Sequence, residues 1–291
     1  MSPSQPPKSS NGAGPDHTDR GERLRLGGMA LRNGLLVHGP TSWAIAARAP
    51  DGGIEVASGD KPVLAPGRLG EVPLLRGTLR LAEALAVIPL ARSRLPAARL
   101  AFEDRGVLGA AAVSLFATGA LRRSRSGEDA GGRSALREAL VALLGLVPAA
   151  AALRDHDLAA YHGVEHKAIG AYEIGAEPAE VPKEHRRCGS NLILPMLVFS
   201  AAAHLAVERL VAQPGSLARG LASLAGVGTA VELFVYAERN PAGAVGRAVH
   251  GPGHEIQRRL STREPTGEQL EVGVAAMQAV LRAEAQAADT V

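Results

Sequence analysis

Four stretches without a single charged side chain limit what this chain can fold into: Gly106–Leu121, Ala139–Leu153, Cys188–Val207 and Gly220–Val231. A membrane-crossing helix needs about 20 predominantly apolar residues. Only Cys188–Val207 reaches that length, and it carries Pro195 and His204. Each of the others alone reads as well as a buried helix of a soluble protein. Four of them in a chain that is 46% hydrophobic point to a mainly α fold with multi-pass membrane helices, paired as two hairpins. Aromatics make up 3% and glycine numbers 34, so helices pack through small side chains. Membrane helices do this, and so do Ala-rich soluble bundles. A soluble helical protein is therefore the competing reading.

The segments between these gaps divide the chain. Residues 1–23 are rich in Pro, Ser, Gly, Asn and Asp and read as a disordered tail with no apolar core of a signal peptide. Residues 24–105 form a β-hairpin plus helix unit. Ser42–Arg48 and Ile54–Ala57 flank Pro50-Asp51-Gly52-Gly53, which is hairpin chemistry, with Trp43, Ile45 and Ala47 on one face of the first strand. A helix follows over Val72–Ile88 and is expected to end at Pro89. Residues 106–153 hold two apolar segments, 154–190 a His-rich insert, and 191–237 two more apolar segments. Residues 238–291 are polar and close with an amphipathic helix, Glu268–Glu284, that places Leu270, Val274, Met277 and Leu281 at steps of three and four.

The charge balance argues against a nucleic-acid partner. Net charge is only +3, the chain has four lysines, and its arginines are scattered. The expected partner is a lipid bilayer, with room for a protein partner within it. The lack of a signal peptide favours cytosolic N- and C-terminal parts. The run Arg122, Arg123, Arg125 and Arg133 after the first gap argues the other way, because basic loops prefer the cytosol. Cys188 is the only cysteine, so no internal disulfide forms.

The chemistry concentrates in the insert. Nine histidines are present, and the string Tyr161-His162-Gly163-Val164-Glu165-His166-Lys167 puts 162, 165 and 166 on one helix face. Two imidazoles one turn apart can converge on one divalent ion, most naturally zinc, and a carboxylate between them can take a proton from water at that ion. This His-x-x-Glu-His order is the inverted zincin pattern. Further ligands come from His185 and Cys188, spaced His-x-x-Cys. The candidate metal set is thus His162, His166, His185 and Cys188, with Glu165 catalytic. Glu173, two turns beyond His166, is a supporting residue or ligand. Glu232, at the close of the last gap, is a second supporting candidate, because an ionisable group in a membrane segment needs a partner. The plainer alternatives are a solvated helix on which the histidines pair with Glu165 and Asp155, and a Cys188 that is simply a small buried side chain. His204 reads as a hydrogen-bonded helix histidine. His38, His250 and His254 lie in Gly/Pro-rich loops, with no spacing that assigns them a role.

Three blocks of this sequence resemble the YqhQ-like family of bacterial membrane proteins, usually described only as predicted metal-dependent enzymes of unknown function. The central block runs from Tyr161 to Ile169, through Ala171-Tyr172-Glu173, to His185-Arg186-Arg187-Cys188-Gly189-Ser190. The outer blocks are Leu26-Gly27-Gly28 through Trp43-Ala44-Ile45-Ala46, and Gly251-Pro252-Gly253 through Val272. Departures occur at Met29 and Asn33, where the family carries Gln and Glu. Arg186 replaces the usual proline, and Val231 an aromatic. The resemblance implies several membrane helices in the bacterial inner membrane and a metal cluster near one face, with no known substrate.

Two function classes follow. In one, Glu165 activates water at a metal with an open position, giving a hydrolase for a lipid-linked or membrane peptide substrate. In the other, all four ligands bind, the metal only staples the insert to its helix, and the protein is a membrane scaffold or assembly factor.

Overall fold

The computed structural model of the chain describes residues 23–64, 72, 74–123, 131–211 and 213–289, the side chains of 131–135 excepted. The tail expected over residues 1–23 (Arg23 apart) and the loop holding Arg125 lie outside the described residues.

The N-terminal unit is a four-stranded antiparallel sheet in chain order, β1 (Gly27–Ala30), β2 (Gly34–His38), β3 (Ser42–Arg48) and β4 (Ile54–Asp60). The expected hairpin is its second half. Arg48 pairs with Ile54 across a turn in which Gly52 takes φ 88°, a left-handed value that glycine adopts without strain. Alternation along β3 feeds two cores. Trp43, Ile45 and Ala47 pack with Val87, Ala91 and Leu95 at the end of α1 (Leu75–Arg94), and Ala44 and Ala46 pack with Val164, Ala168, Val272 and Val280 on the other face. Pro89 lies inside α1 rather than ending it.

The further α-helices among the described residues are α2 (Arg105–Arg123), α3 (Gly131–Leu144), α4 (Val147–Ala152), α5 (His156–Ile174), α6 (Ile193–Leu210), α7 (Ser216–Arg239) and α8 (Ala244–Ile256), and α9 (Gly267–Ala288) closes the sheet. The fold is mainly helical. The buried line of α9 runs through Val272, Ala276 and Val280, with Met277 beside it, and Val274 turns outward. Small side chains set this face because the helix lies flat on the sheet. Leu270 and Leu281 remain at its partly buried edges.

The count of expected membrane segments is reduced. Among the described residues, two stretches are long and apolar enough to cross a membrane, Gly189–Leu210 and Ser216–Arg239. A third qualifies only if the pair Leu136–Ala152 and His156–Ile174, bent by 95°, counts as one. Gly106–Leu121 falls in α2, closed in by Arg105, Arg122 and Arg123, and Ala139–Leu153 breaks at Gly145-Leu146. The qualifying pair forms a hairpin. Gly226 of α7 lies so close to Ser200 of α6 that a Cβ there would stand 2.7 Å from Ser200 Cα, the small-residue contact on which membrane helices rely. His204 is held within this hairpin, bonded at Nδ1 to the Ser200 carbonyl at 2.8 Å and facing Ser223 Oγ at 3.4 Å.

Candidate metal centre

The His-rich insert folds as α5 and the loop after it. Asp155 caps α5, accepting from the amides of Asp157 (3.0 Å) and Leu158 (3.2 Å). Its other oxygen takes Arg32 from the β1–β2 turn, and Arg32 also pairs with Asp104 at 3.1 Å. The helix ends at Gly175, φ 73°. Between these caps α5 is buried on most of its circumference, against the sheet and α9. Gly163 permits part of that closeness, because a Cβ there would stand 2.2 Å from the carbonyl of Arg263.

Three metal-capable side chains converge among the described residues: His162, His166 and Cys188, with one ligand atom of each within 4.8 Å of the others. Cys188 Sγ lies 3.3 Å from His162 Nε2. A tetrahedral zinc ion keeps such donors about 3.4–3.8 Å apart, so this pair is already at about that spacing and the set, within 4.8 Å, need draw in by at most about 1 Å. Both rings are oriented by backbone carbonyls. His162 Nδ1 donates to Ser261 at 2.7 Å and His166 Nδ1 to Lys183 at 2.5 Å. A carbonyl only accepts, so Nδ1 carries the proton and the lone pair is left on Nε2 of each ring. His166 is 1% exposed, and its Nε2 has no hydrogen-bond partner among the described residues. A buried acceptor without a partner is costly, and a cation satisfies it. The chemistry of the donor set therefore fits a divalent metal.

Burial sets the protonation of the cluster. It pushes His166 down to about 2, with the neighbouring rings of His162 and His185 acting in the same direction against the hydrogen bond to the Lys183 carbonyl, and it pushes the Cys188 thiol up to about 11.

The other expected residues divide. Glu165 is beside the cluster. Its carboxyl is raised above the ordinary carboxylate range by burial, against the opposing pull of His162 and His185. It rests on Gly28 of β1, where a Cβ would stand 2.9 Å from Glu165 Cγ, which gives the Leu26-Gly27-Gly28 block a physical role. His185 is near, its ring centre 5.8 Å from that of His166, but outside the three-donor group. Its Nε2 is taken by Glu173 Oε2 at 3.0 Å, and Glu173 also pairs with Arg187. Burial lowers the His185 pKa. Glu173 thus supports His185, not the three donors. Glu232 serves elsewhere: it accepts from Arg76 Nε at 2.8 Å and from the amide of Leu74 at 3.3 Å, tying α7 to α1.

Sequence reasoning missed the floor of the site. The segment Gln257–Ser261 is one π-helical turn, a feature frequent at functional sites. Gln257, fully buried, accepts from the His185 amide at 2.7 Å and donates to Ser190 Oγ at 2.9 Å. Lys183 donates to the carbonyl of Arg258 at 3.0 Å and to Thr262 Oγ1 at 3.2 Å. The loop carrying His185 and Cys188 is thereby clamped to the turn that also supplies the Ser261 carbonyl.

No curated protein and no solved structure matches the chain. Residues 139–283 contain all three donors with Glu165 and the π-helical turn; this segment matches the model of a family described as a protein of unknown function, DUF1385, with which the YqhQ-like resemblance agrees.

Proposed function

We propose that this is a multi-pass protein of the bacterial inner membrane with a metal-dependent hydrolytic site at one mouth of the α6–α7 hairpin. The observation that carries the reading is the three-donor cluster, with both imidazoles anchored through Nδ1 and His185 engaged by Glu173 instead. Three protein donors leave a fourth position for water or substrate, the mark of catalytic rather than structural zinc sites. His162, His166 and Cys188 would hold the ion, which supplies Lewis-acid activation of water. Glu165, its pKa raised above the ordinary carboxylate range by burial, is the group suited to take up and return a proton. The carbonyls of Ser261 and Lys183 keep the rings in the ligating tautomer. The membrane side of the reading rests on the two apolar stretches of the hairpin and on exposed apolar side chains such as Leu194, Val198 and Leu221.

The test is elemental analysis of purified wild type beside His166→Ala, Cys188→Ala and His185→Ala, with carbonate-washed membranes as the source. The expected result is one equivalent of divalent metal in wild type, loss in the first two variants and retention in the third. Loss in His185→Ala as well would indicate a closed four-ligand site and favour the scaffold reading. Absence of metal in wild type, or release of the protein by carbonate, overturns the proposal.

A further inference from the structure

A cleft of about 710 Å³ opens beside the cluster, bounded by the loop after α5 and by α8. This is within the usual size of small-molecule sites, about 300–1,000 Å³. Its wall is apolar or small, formed by Pro241, Ala242, Gly246 and Gly251, and its charged lining is cationic: Arg186 and Arg247, with His254 beside them. Among the described residues the lining includes no carboxylate, and Glu238 stands beside His250. Arg186 has no side-chain hydrogen bond or ion pair among the described residues, and there the Arg247 guanidinium bonds only the carbonyl of Ala242. His185 belongs both to this lining and to the edge of the metal cluster, 5.8 Å between ring centres from His166.

A second observation points to a ligand. His250 lines the same cleft and is 8% exposed, yet neither ring nitrogen makes a hydrogen bond within the described residues. Its Nε2 stands 3.3 Å from Glu238, out of hydrogen-bond alignment. A buried imidazole whose ring nitrogens make no hydrogen bond, at the wall of a cationic cleft, suits an acceptor-rich guest.

The position of the cleft narrows the guest further. Arg186 and Asn191 flank the start of Gly189–Leu210, and Pro241 and Ala242 follow the end of Ser216–Arg239. In a hairpin these two ends lie on the same side. If the hairpin crosses a bilayer, the cleft lies at headgroup depth, where arginine meets phosphate.

We propose that this cleft binds a phosphoryl anion, presented there beside the metal cluster as the recognition group of the site's substrate. The proposal deepens the hydrolytic reading above and rests on it for the role of the neighbouring cluster, though the binding itself does not need the metal. The phosphoryl group could come from a lipid headgroup or from a soluble phosphate.

The experiment titrates full-length protein in zwitterionic detergent with three probes: dihexanoyl phosphatidic acid, dihexanoyl phosphatidylcholine and inorganic phosphate. Phosphatidic acid is expected to bind saturably, and Arg186→Gln/Arg247→Gln to weaken it by at least about tenfold, as loss of charge-assisted contacts requires. Ala242→Phe fills the cleft without changing its charge and is expected to do the same, so the test survives if the arginine variant does not fold. Tighter binding of phosphatidic acid than of inorganic phosphate assigns the anion to a lipid, and equal binding assigns it to a soluble phosphate. Equal affinity for phosphatidylcholine, no saturable binding, or binding indifferent to both variants overturns the proposal. His166→Ala separates the two readings. Binding retained in this variant supports the cleft whatever the metal content, whereas binding lost with the metal puts the anion on the ion and overturns the cleft. Metal in wild type without phosphoryl binding leaves the cluster reading standing alone.

Discussion

Cys188 Sγ lies 3.3 Å from His162 Nε2, on the side of the ring opposite the nitrogen that donates to Ser261. A neutral imidazole has one N–H, so the thiol is the donor in this contact when no ion is bound. The thiol is held at about 11 and His166 at about 2. Metal uptake at about pH 7.5 is therefore expected to release about one proton from Cys188 and none from His166. Calorimetry in buffers of different ionisation enthalpy counts it, and Cys188→Ala should release none. Persistence of the proton in that variant would assign it to another group.

Acid sensitivity of the metal-free protein has a defined direction. His166 titrates at about 2 in the fold, against an ordinary value of 6.5. The unfolded chain then binds protons where the folded one does not. Stability contributed by the neutral ring is complete above pH 6.5 and is lost as pH falls below it towards 2. Thermal unfolding of metal-free protein at pH 8 and pH 5 should show a larger drop for wild type than for His166→Gln. Equal drops would remove His166 as the cause.

Gly163 and Gly28 separate packing from chemistry. A Cβ at Gly163 meets backbone, 2.2 Å from the Arg263 carbonyl, whereas at Gly28 it meets the flexible end of Glu165. Gly163→Ala is expected to cost about 1–3 kcal/mol, the range for overpacking. Gly28→Ala should leave the unfolding temperature nearly unchanged and displace the Glu165 carboxyl. Unfolding midpoints of the two variants give the comparison, and equal losses would contradict it.

The pair Arg76–Glu232 joins α1 to α7 with its side chains 34% and 23% exposed. Removing Arg76 leaves a carboxylate on an apolar helix, so Arg76→Ala should lower the membrane-inserted yield more than Arg76→Ala/Glu232→Gln does. Quantifying carbonate-resistant protein for both variants and wild type decides it, and a double variant worse than the single refutes the pairing argument.

What the sequence made legible follows from the range of the signals involved. His162, Glu165 and His166 were readable because helical spacing alone brings them together, and Cys188 because a short step from His185 suggested a ligand. The choice between His185 and Cys188 was not readable: it depends on Glu173 reaching His185 and on Gln257 holding the loop, contacts that span 12 and 72 residues. The anchors of the two rings are backbone carbonyls, which any residue supplies and no composition marks. In the fold, Ser42–Arg48 is an apolar run closed by a Pro-Asp-Gly-Gly turn and is legible as a strand, whereas Gly27–Ala30 is too short and too rich in glycine to announce one. Pro89 does not end α1 as its chemistry suggests, because the continuing helix gains burial at Ala91 that the ring's lost hydrogen bond does not outweigh.

The carboxylate of Glu284 in α9 receives the amides of Thr41 and Ser42 at 2.9 and 2.7 Å across 243 and 242 residues. During synthesis the sheet is made first, and the helix residue that ties to it follows 242 residues later. Until α9 emerges from the ribosome, Leu35, Val37, Ala44 and Ala46 lack their lid and α5 lacks its neighbour. Closure of such distant contacts is slow and leaves edges and apolar faces open to wrong partners. A ribosome stalled before α9 would thus hold a nascent chain whose cluster has donors but no finished scaffold, and completion of α9 becomes the step that closes the sheet and its site.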